Sequence, residues 1–277
     1  MILKFTVAGK NFNSDLTRGV SIAIPLAFDG NQPSHFGAEK ATREPMRSGQ
    51  FVGRTNQGAG CNVDWLRINP HCNGTHTETV GHIVNDSVPV GRAAVDSMFP
   101  GLLISVTPVA ADQCQDTYVP QLAATDSVIT RDSLESASVK SHAEFADCLI
   151  IRTIPNTETK LSAIYNEQHQ PPFFTNEAIN YIVELGFKHL VVDLPSIDRM
   201  NDDGLMSNHH VFWNVPAGTK EMTKTTATEK LITEMVYVPD SVEDGQYLVN
   251  LQIPAFFCDA APSRPILFPV TEGESDG

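Results

Sequence analysis

Residues 72 to 82 read CNGTHTETVGH and place Cys72, His76, Glu78 and His82 within eleven positions that carry hardly an apolar side chain. Thiolate, imidazole and carboxylate are the groups that bind zinc and related divalent ions, so these four residues form a candidate ligand set. In an extended strand, at about 3.3 Å per residue, Cys72 and His76 would stand about 13 Å apart, beyond the reach of two metal bonds of about 2 Å each. A turn removes that obstacle, and Asn73-Gly74 suits one because both residues tolerate positive φ. His76 and Glu78, two apart, project to one side of a locally extended segment at about 6.6 Å and can bracket one ion or two. If Cys72 faces the ion, His71 faces away from it, to the surface or to a supporting layer. The bland alternative for the whole stretch is a polar surface loop with incidental histidines.

Regular elements must hold such a loop in place. GVSIAIPLAF (19–28) alternates enough to predict a strand, followed by the loop DGNQPSHFG. Residues 48–82 are polar and rich in glycine, with CNVDWLRI (61–68) as their strand candidate, and GLLISVTPVA (101–110) reads as a buried strand. CLIIRTI (148–154), TNEAINYIVELGF (175–187) and HLVVDLP (189–195) then predict strand, helix and strand. Thr175 or Asn176 caps that helix, Ile179, Ile182 and Val183 share one face, and Gly186 ends it. The result is a βαβ unit with parallel strands and a right-handed crossover. KLITEMVYV (230–238) and QYLVNLQIPAFF (246–257) predict further strands, so the class is mixed α/β with β in excess. His35, His142, His169 and His189 are isolated and read as surface or hydrogen-bonded residues. Asp193 and Asp198, on either side of Pro195-Ser196, read as braces of a loop.

The composition narrows the classes of partner. A net charge of −14, from 33 acidic and 19 basic residues, repels phosphate backbones and argues against nucleic acid. No run approaches the roughly 18 apolar residues of a bilayer span, which argues against a membrane protein. The 277 residues contain no internal repeat, and one domain over residues 1–270 is expected, with the acidic stretch TEGESDG (271–277) as a flexible tail. The pattern of a secretory leader is missing from MILKFTVAGK, so the expected location is the cytoplasm. Five cysteines without a CxxC pair predict reduced thiols, with Cys61, Cys114, Cys148 and Cys258 as small buried apolar residues.

CNGTHTETVGH resembles the signature of the cyclase-like metal-dependent hydrolases, the group that includes bacterial kynurenine formamidase and isatin hydrolase, whose pattern is HxGTHxDxPxH. Gly74, Thr75, His76 and His82 match it, Glu78 takes the aspartate position, Cys72 replaces the first histidine, and Val80 replaces the proline. VVDLPSIDR (191–199) followed by NHH (208–210) is similar to the family's DxPSxD segment and the histidine after it. LITEMVYVPDSVEDGQYLVNLQIP (231–254) resembles the C-terminal strand that carries a glutamate, here Glu234, and DLTRGVSIAIPL (15–26) is a weaker match to the opening segment. His209 and Glu234 are 25 positions apart, wider than the family's spacing, which marks VPAGTKEMTKTTATEK (215–230) as an inserted loop. Position favours His209 over His210 as the ligand.

The resemblance implies the family's swivelling β/β/α domain. It implies that Cys72, His76 and Glu78 hold a first metal, that Glu78 is placed to bridge to a second, and that His209 and Glu234 complete the site. His82 would carry protons, and Glu234 would serve catalysis as well as binding. A thiolate in place of an imidazole softens the site and favours zinc, as one or two ions, over manganese. An open coordination position lowers the pKa of water towards about 7, and His82 would take the proton and pass it to the leaving group. The implied reaction is hydrolysis of a non-peptide C–N bond, in an aryl formamide or a cyclic amide, by a homo-oligomer (dimer or tetramer) acting on a small molecule. The competing reading is a non-catalytic metal-binding or regulatory protein on the same fold, because a thiolate makes zinc a weaker Lewis acid. Residues 29–50 and the 215–230 insertion are expected to shape the pocket.

Overall fold

A computed structural model describes residues 1–93 and 98–273. Its main sheet has eleven strands: β1 (Ile2–Val7), β2 (Lys10–Asp15), β3 (Val20–Ser21), β4 (His76–Glu78), β5 (Met98–Val106), β6 (Cys148–Thr153), β7 (His189–Val192), β8 (Leu231–Glu234), β9 (Gly245–Gln252), β10 (Ala260–Pro262) and β11 (Arg264–Glu272). The spatial order is β1-β2-β11-β9-β5-β6-β7-β8-β4-β10, with β3 on the side of β11. Strands β5 to β8 are mutually parallel, and all other pairs in this sheet are antiparallel.

The parallel centre follows from apolar runs that bury both faces. Leu102, Ile104, Leu149, Ile151, Leu190, Val192 and Ile232 face one side. There they pack against residues of α3 (Arg131–Ser136), α4 (Asn176–Glu184) and α5 (Ser207–Trp213), which follow the one-turn helices α1 (Pro70–Asn73) and α2 (Val90–Ala93). Leu103, Cys148, Ile150, Val191 and Leu231 face the other side and meet Val249, Leu251 and Leu267 together with Val236 and Val238. Each such aliphatic side chain contributes about 1.5–3 kcal/mol by leaving water, so this layer makes a rigid base for what lies at the strand ends.

The predicted βαβ unit is present, with Leu149 opposite Leu190 and Ile150 opposite Val191 in parallel register. Thr175 caps α4 by accepting a hydrogen bond from Ala178 N at 3.2 Å, and Gly186 follows the helix with φ +85°. The stretch 19–28 forms a strand only at Val20–Ser21; beyond it Ile22 N donates to the Pro265 carbonyl at 3.0 Å and Ile24 N to the Thr75 hydroxyl, and both side chains are buried. Pro108 divides 101–110 between β5 and a short strand at Val109–Ala110. Within 61–68, Asp64–Arg67 pairs with Thr42–Pro45. The β1–β2 hairpin turns at Ala8 and Gly9, both at positive φ, and β2 then pairs with β11, so the two chain ends share one sheet.

Thr271 and Glu272 belong to β11; residues 274–277 lie outside the described residues. The five cysteines are free thiols. Cys148 is buried, whereas Cys61 and Cys258 are exposed and Cys114 half-buried, so three of the four read as core are not there. Among the described residues no helix is long and apolar enough to cross a membrane.

Candidate metal centre

The stretch that opens the sequence reading is bent. Pro70–Asn73 forms one helical turn, α1, and Gly74, at φ +155°, carries the chain into β4. Alternation along β4 sends His76 and Glu78 to one side and Thr77 to the other, where its hydroxyl meets Thr233 Oγ1 at 2.7 Å. Antiparallel pairing with β8 sets Glu234 opposite His76, and their side chains meet with Nε2 3.5 Å from Oε2. Thr75 ties this corner together by donating to the Met235 carbonyl and accepting from Ile24 N at 2.8 Å. Glu234 Oε1 accepts from Ile197 N at 2.9 Å, which fixes its carboxylate plane.

The fourth wall is the start of α5. Asp198, buried, accepts hydrogen bonds from Asn208 N at 2.8 Å, His209 N at 3.1 Å and Tyr118 Oη at 2.7 Å, and its Oδ2 lies 2.5 Å from His209 Nδ1. The helix start and the ring are therefore held by one carboxylate. His209 Nε2 then lies 3.0 Å from Glu78 Oε1 and 3.9 Å from Glu234 Oε1. His210 is turned away, with Nδ1 3.2 Å from the Val215 carbonyl, and lines a separate cavity of about 670 Å³.

Two further imidazoles complete the group. His71, at the helical turn, places Nδ1 2.9 Å from Glu78 Oε2, and His82, at the end of a short 3₁₀ turn, places Nε2 3.9 Å from the same oxygen. Their other ring nitrogens approach Asp259 Oδ2, at 2.8 Å for His71 Nε2 and 3.5 Å for His82 Nδ1. His76 Nδ1 bonds the Gly74 carbonyl at 2.9 Å. Its Nε2 faces inward, 4.0 Å from Glu78 Oε2. Neither His76 Nε2 nor Glu78 Oε2 has a hydrogen-bond partner although both are buried; the short approach of His71 to Glu78 is an ion pair without hydrogen-bond alignment.

The charges respond to this crowding. Burial alone would raise Glu78, but His82, His209 and His71 hold its carboxyl well below the usual carboxylate range. Burial opposes a proton on His209, yet Asp198 and Glu78 raise its pKa well above the imidazole norm. His71 is likewise disfavoured by burial and pushed up to about 10 by its hydrogen bond to Asp259 and by the carboxylate of Glu78 beside it. Concentrated positive charge on imidazoles around carboxylates is what a protein without a cation needs to offset the acids.

A divalent ion fits this donor set. Nitrogen and oxygen ligands bind zinc at about 2.0–2.2 Å, which sets neighbouring donors about 3–4 Å apart. The separations quoted above between the inward-facing imidazole nitrogens and the oxygens of Glu78 and Glu234 run from 2.9 to 4.0 Å. Two overlapping groups of mutually close donors, His71–His76–Glu78 and Glu78–His82–His209, share Glu78. A buried carboxylate oxygen and a buried imidazole nitrogen that bond to nothing are the atoms an ion would satisfy.

His76, Glu78, His82, His209 and Glu234 are thus brought together from four elements. Cys72 lies nearby, half-buried, and lines the same cavity of about 450 Å³ as His71, His82, His209 and Glu234. Burial and then the charge of Glu234 push its thiol pKa up. Among the described residues Cys72 belongs to no tight donor group, whereas His71 does, contrary to the expectation that His71 faces away. The sequence reading missed Asp259, for which no local motif exists; His35, read as a surface or hydrogen-bonded residue, is buried in the cavity wall that Phe36 of the same 29–50 loop also lines, its pKa pushed down to about 4 by burial and by His76. Asp193 is a brace as expected, accepting from Thr153 N at 2.8 Å and Lys160 Nζ at 2.7 Å.

The family model Cyclase, described as "Putative cyclase", matches residues 15–199. No curated protein matches by sequence. Among solved structures, a "predicted metal-dependent hydrolase" from Bacillus stearothermophilus aligns with TM-score 0.57 and 16% identity over 91% of this chain and 98% of that one. An isatin hydrolase bound to the product analogue thioisatinate aligns with TM-score 0.60 and 12% identity over 92% and 93%. Isatin hydrolase A from Labrenzia aggregata gives 0.59 and 13% over 91% and 93%. At these identities the likeness establishes the fold, a mixed α/β domain with strands in excess, as the resemblance implied.

Proposed function

The chain belongs to the Cyclase family, and from that premise we propose that it is a metal-dependent hydrolase of a non-peptide C–N bond, in an aryl formamide or a cyclic amide of a small molecule. The observation that carries this reading is the common orientation of four imidazoles. His71, His76, His82 and His209 each turn one nitrogen towards Glu78, beside a cavity of about 450 Å³. A cavity of that size suits a compact aromatic substrate.

In this reading His76, Glu78, His209 and Glu234 would hold the ion or ions. The imidazole of His71 stands where the thiol of Cys72 was expected to serve. Zinc, as one ion or two, is preferred on affinity, since nitrogen and oxygen sites bind it more tightly than manganese, and manganese is the alternative because imidazole and carboxylate serve both. When bound, the ion supplies Lewis-acid polarisation of a carbonyl and an acidified water.

The remaining work falls to side chains of this chain. His82, 27% exposed and at the cavity edge, is placed to take a proton at Nε2 and return it to the departing nitrogen. Glu234, held by Ile197 N, sets its second oxygen 3.5 Å from His76 Nε2. Phe36 and Met200 present apolar surface to the substrate ring and reduce the water around the reacting bond. Exposed Trp65, Leu66, Phe256 and Phe257 are apolar surface available to a homo-oligomer, dimer or tetramer, working in the cytoplasm.

The test is metal analysis of the purified protein together with hydrolysis assays on an aryl formamide, isatin and a simple lactone, for the wild type and His76→Ala. The expected result is bound zinc or manganese and C–N hydrolysis in the wild type, both lost in the variant. A wild type that neither retains nor takes up a divalent ion ends the reading.

A further inference from the structure

Asp259 immediately precedes β10, and its own backbone is pinned across the turn that carries His82: its carbonyl accepts from Thr79 N at 3.0 Å and Thr79 Oγ1 at 3.3 Å. One oxygen of its carboxylate, Oδ2, receives His71 Nε2 at 2.8 Å and faces His82 Nδ1 at 3.5 Å. The two rings are stacked, with centroids 4.2 Å apart and planes at 23°. Their opposite nitrogens point to a single oxygen of Glu78. Two imidazoles are therefore spanned between two carboxylates, the buried one inside and the half-exposed one outside.

A neutral imidazole has one N–H and one lone pair. If the inner nitrogens of His71 and His82 are to offer lone pairs, to an ion and to a proton respectively, their hydrogens must sit on the outer nitrogens. Among the described residues the acceptor that both outer nitrogens share is Asp259. The same logic operates at His209, whose outer nitrogen is held by Asp198, and at His76, whose outer nitrogen is held by the Gly74 carbonyl.

We propose that Asp259 is the positioning residue for both His71 and His82, fixing the Nε2–H form of the first and the Nδ1–H form of the second. This makes His71 an ion-holding donor in the place where the motif carries Cys72, and keeps His82 ready as a base. The inference rests on the metal-dependent reading above. It also excludes an outer cation on His71, His82 and Asp259, because an outer nitrogen that bears a proton cannot also ligate.

The experiment uses the full chain, stripped of metal and titrated with zinc by calorimetry and by competition with a chelator, for the wild type, Asp259→Ala and Asp259→Asn. Thermal unfolding of each metal-free protein checks that it folds. Zinc binding weakened about 10- to 100-fold in Asp259→Ala is the expected result, by loss of an outer carboxylate. A smaller loss is expected in Asp259→Asn, whose amide oxygen still accepts one N–H. Nitrogen-15 spectra of the zinc-loaded proteins should place the hydrogen of His71 on Nε2 in the wild type and not uniformly so in Asp259→Asn, a readout that a merely structural role would leave unchanged. Should Asp259→Ala fail to fold, the isosteric Asn variant decides on both measurements. Wild-type affinity and tautomers in both variants, or in the Asn variant where Asp259→Ala does not fold, would overturn the inference while leaving the metal reading intact. A drop in stoichiometry by one ion with unchanged affinity for the rest would make Asp259 a ligand and overturn it too. No zinc binding by the wild type defeats the metal-dependent reading itself, and this inference with it.

Discussion

The carboxylate of Asp198 lies 2.5 Å from Nδ1 of His209, and the opposite nitrogen of that ring lies 3.0 Å from Glu78. A loop residue thereby fixes the direction of a helix residue at the centre of the cluster. Asp198→Ala should weaken zinc binding about 10- to 100-fold, since outer carboxylates orient and strengthen imidazole ligands. It should also destabilise the metal-free protein by about 3–5 kcal/mol, because a buried partner is removed from a charged ring. Chelator competition and chemical unfolding measure the two effects, and unchanged zinc affinity would discard the orienting role.

The choice between His71 and Cys72 has an optical answer. Cobalt bound to the wild type should lack the strong near-ultraviolet charge-transfer band of a thiolate ligand. Cys72→Ser should hold cobalt and zinc as the wild type does, while His71→Ala should lose most of its affinity. A thiolate band abolished by Cys72→Ser would return the ligand role to the cysteine.

Metal uptake should release protons. In the metal-free protein burial resists charge on His71, but Asp259 and Glu78 push its pKa up to about 10, and His209 is raised as well. Both rings hold protons at neutral pH and must surrender them to ligate, so zinc affinity rises with pH between about 6.5 and 8.5. Calorimetry at one pH in two buffers of different ionisation enthalpy counts the protons, and a count of zero contradicts the expectation.

Stability of the metal-free protein carries the opposite dependence. A raised imidazole pKa contributes stability that is complete below the unfolded value of about 6.5 and disappears as pH rises through the folded value. Glu78, whose carboxyl the neighbouring imidazoles depress against the pull of burial, and Asp259, which its hydrogen bonds to His71 and His82 depress, contribute stability that is complete above about pH 4 and disappears as pH falls further. The midpoint of thermal unfolding should therefore be highest between about pH 4.5 and 6.5. A midpoint that climbs steadily from pH 6.5 to 9 would contradict this charge arrangement.

A substitution outside the donor cluster separates stability from binding. Thr175 caps α4 and donates to Asp116 Oδ2 at 2.8 Å. Thr175→Ala should cost about 0.5–2 kcal/mol of stability and leave zinc affinity untouched. A parallel loss of affinity would mean that the helix start is coupled to the cluster.

Much of the centre could be read from residues 72 to 82 and from the later motifs, because His76, Glu78, His82, His209 and Glu234 meet in one place. The βαβ unit was legible for a similar reason: periodicity and capping are local. His71 was misjudged because strand alternation was applied to a helical turn. In Pro70–Asn73 successive residues are rotated by about 100° and not by 180°, so His71 and its neighbour Cys72 can both face the cavity. Asp259 left no trace, since its role depends on a partner 188 positions away. The strand expected at 19–28 stops after Ser21, because the next backbone N–H groups go to separate distant partners, that of Ile22 to Pro265 and that of Ile24 to the Thr75 hydroxyl, which apolar alternation cannot foretell.

The span between His71 and Asp259 has an outcome for biogenesis. Bringing together ends separated by 188 residues costs about 4–5 kcal/mol of chain entropy, which only the finished sheet can offset. Until the segment that carries Asp259 has docked beside the turn of His82, the rings of His71 and His82 have no shared outer clasp, so tight cation binding waits for this long-range closure.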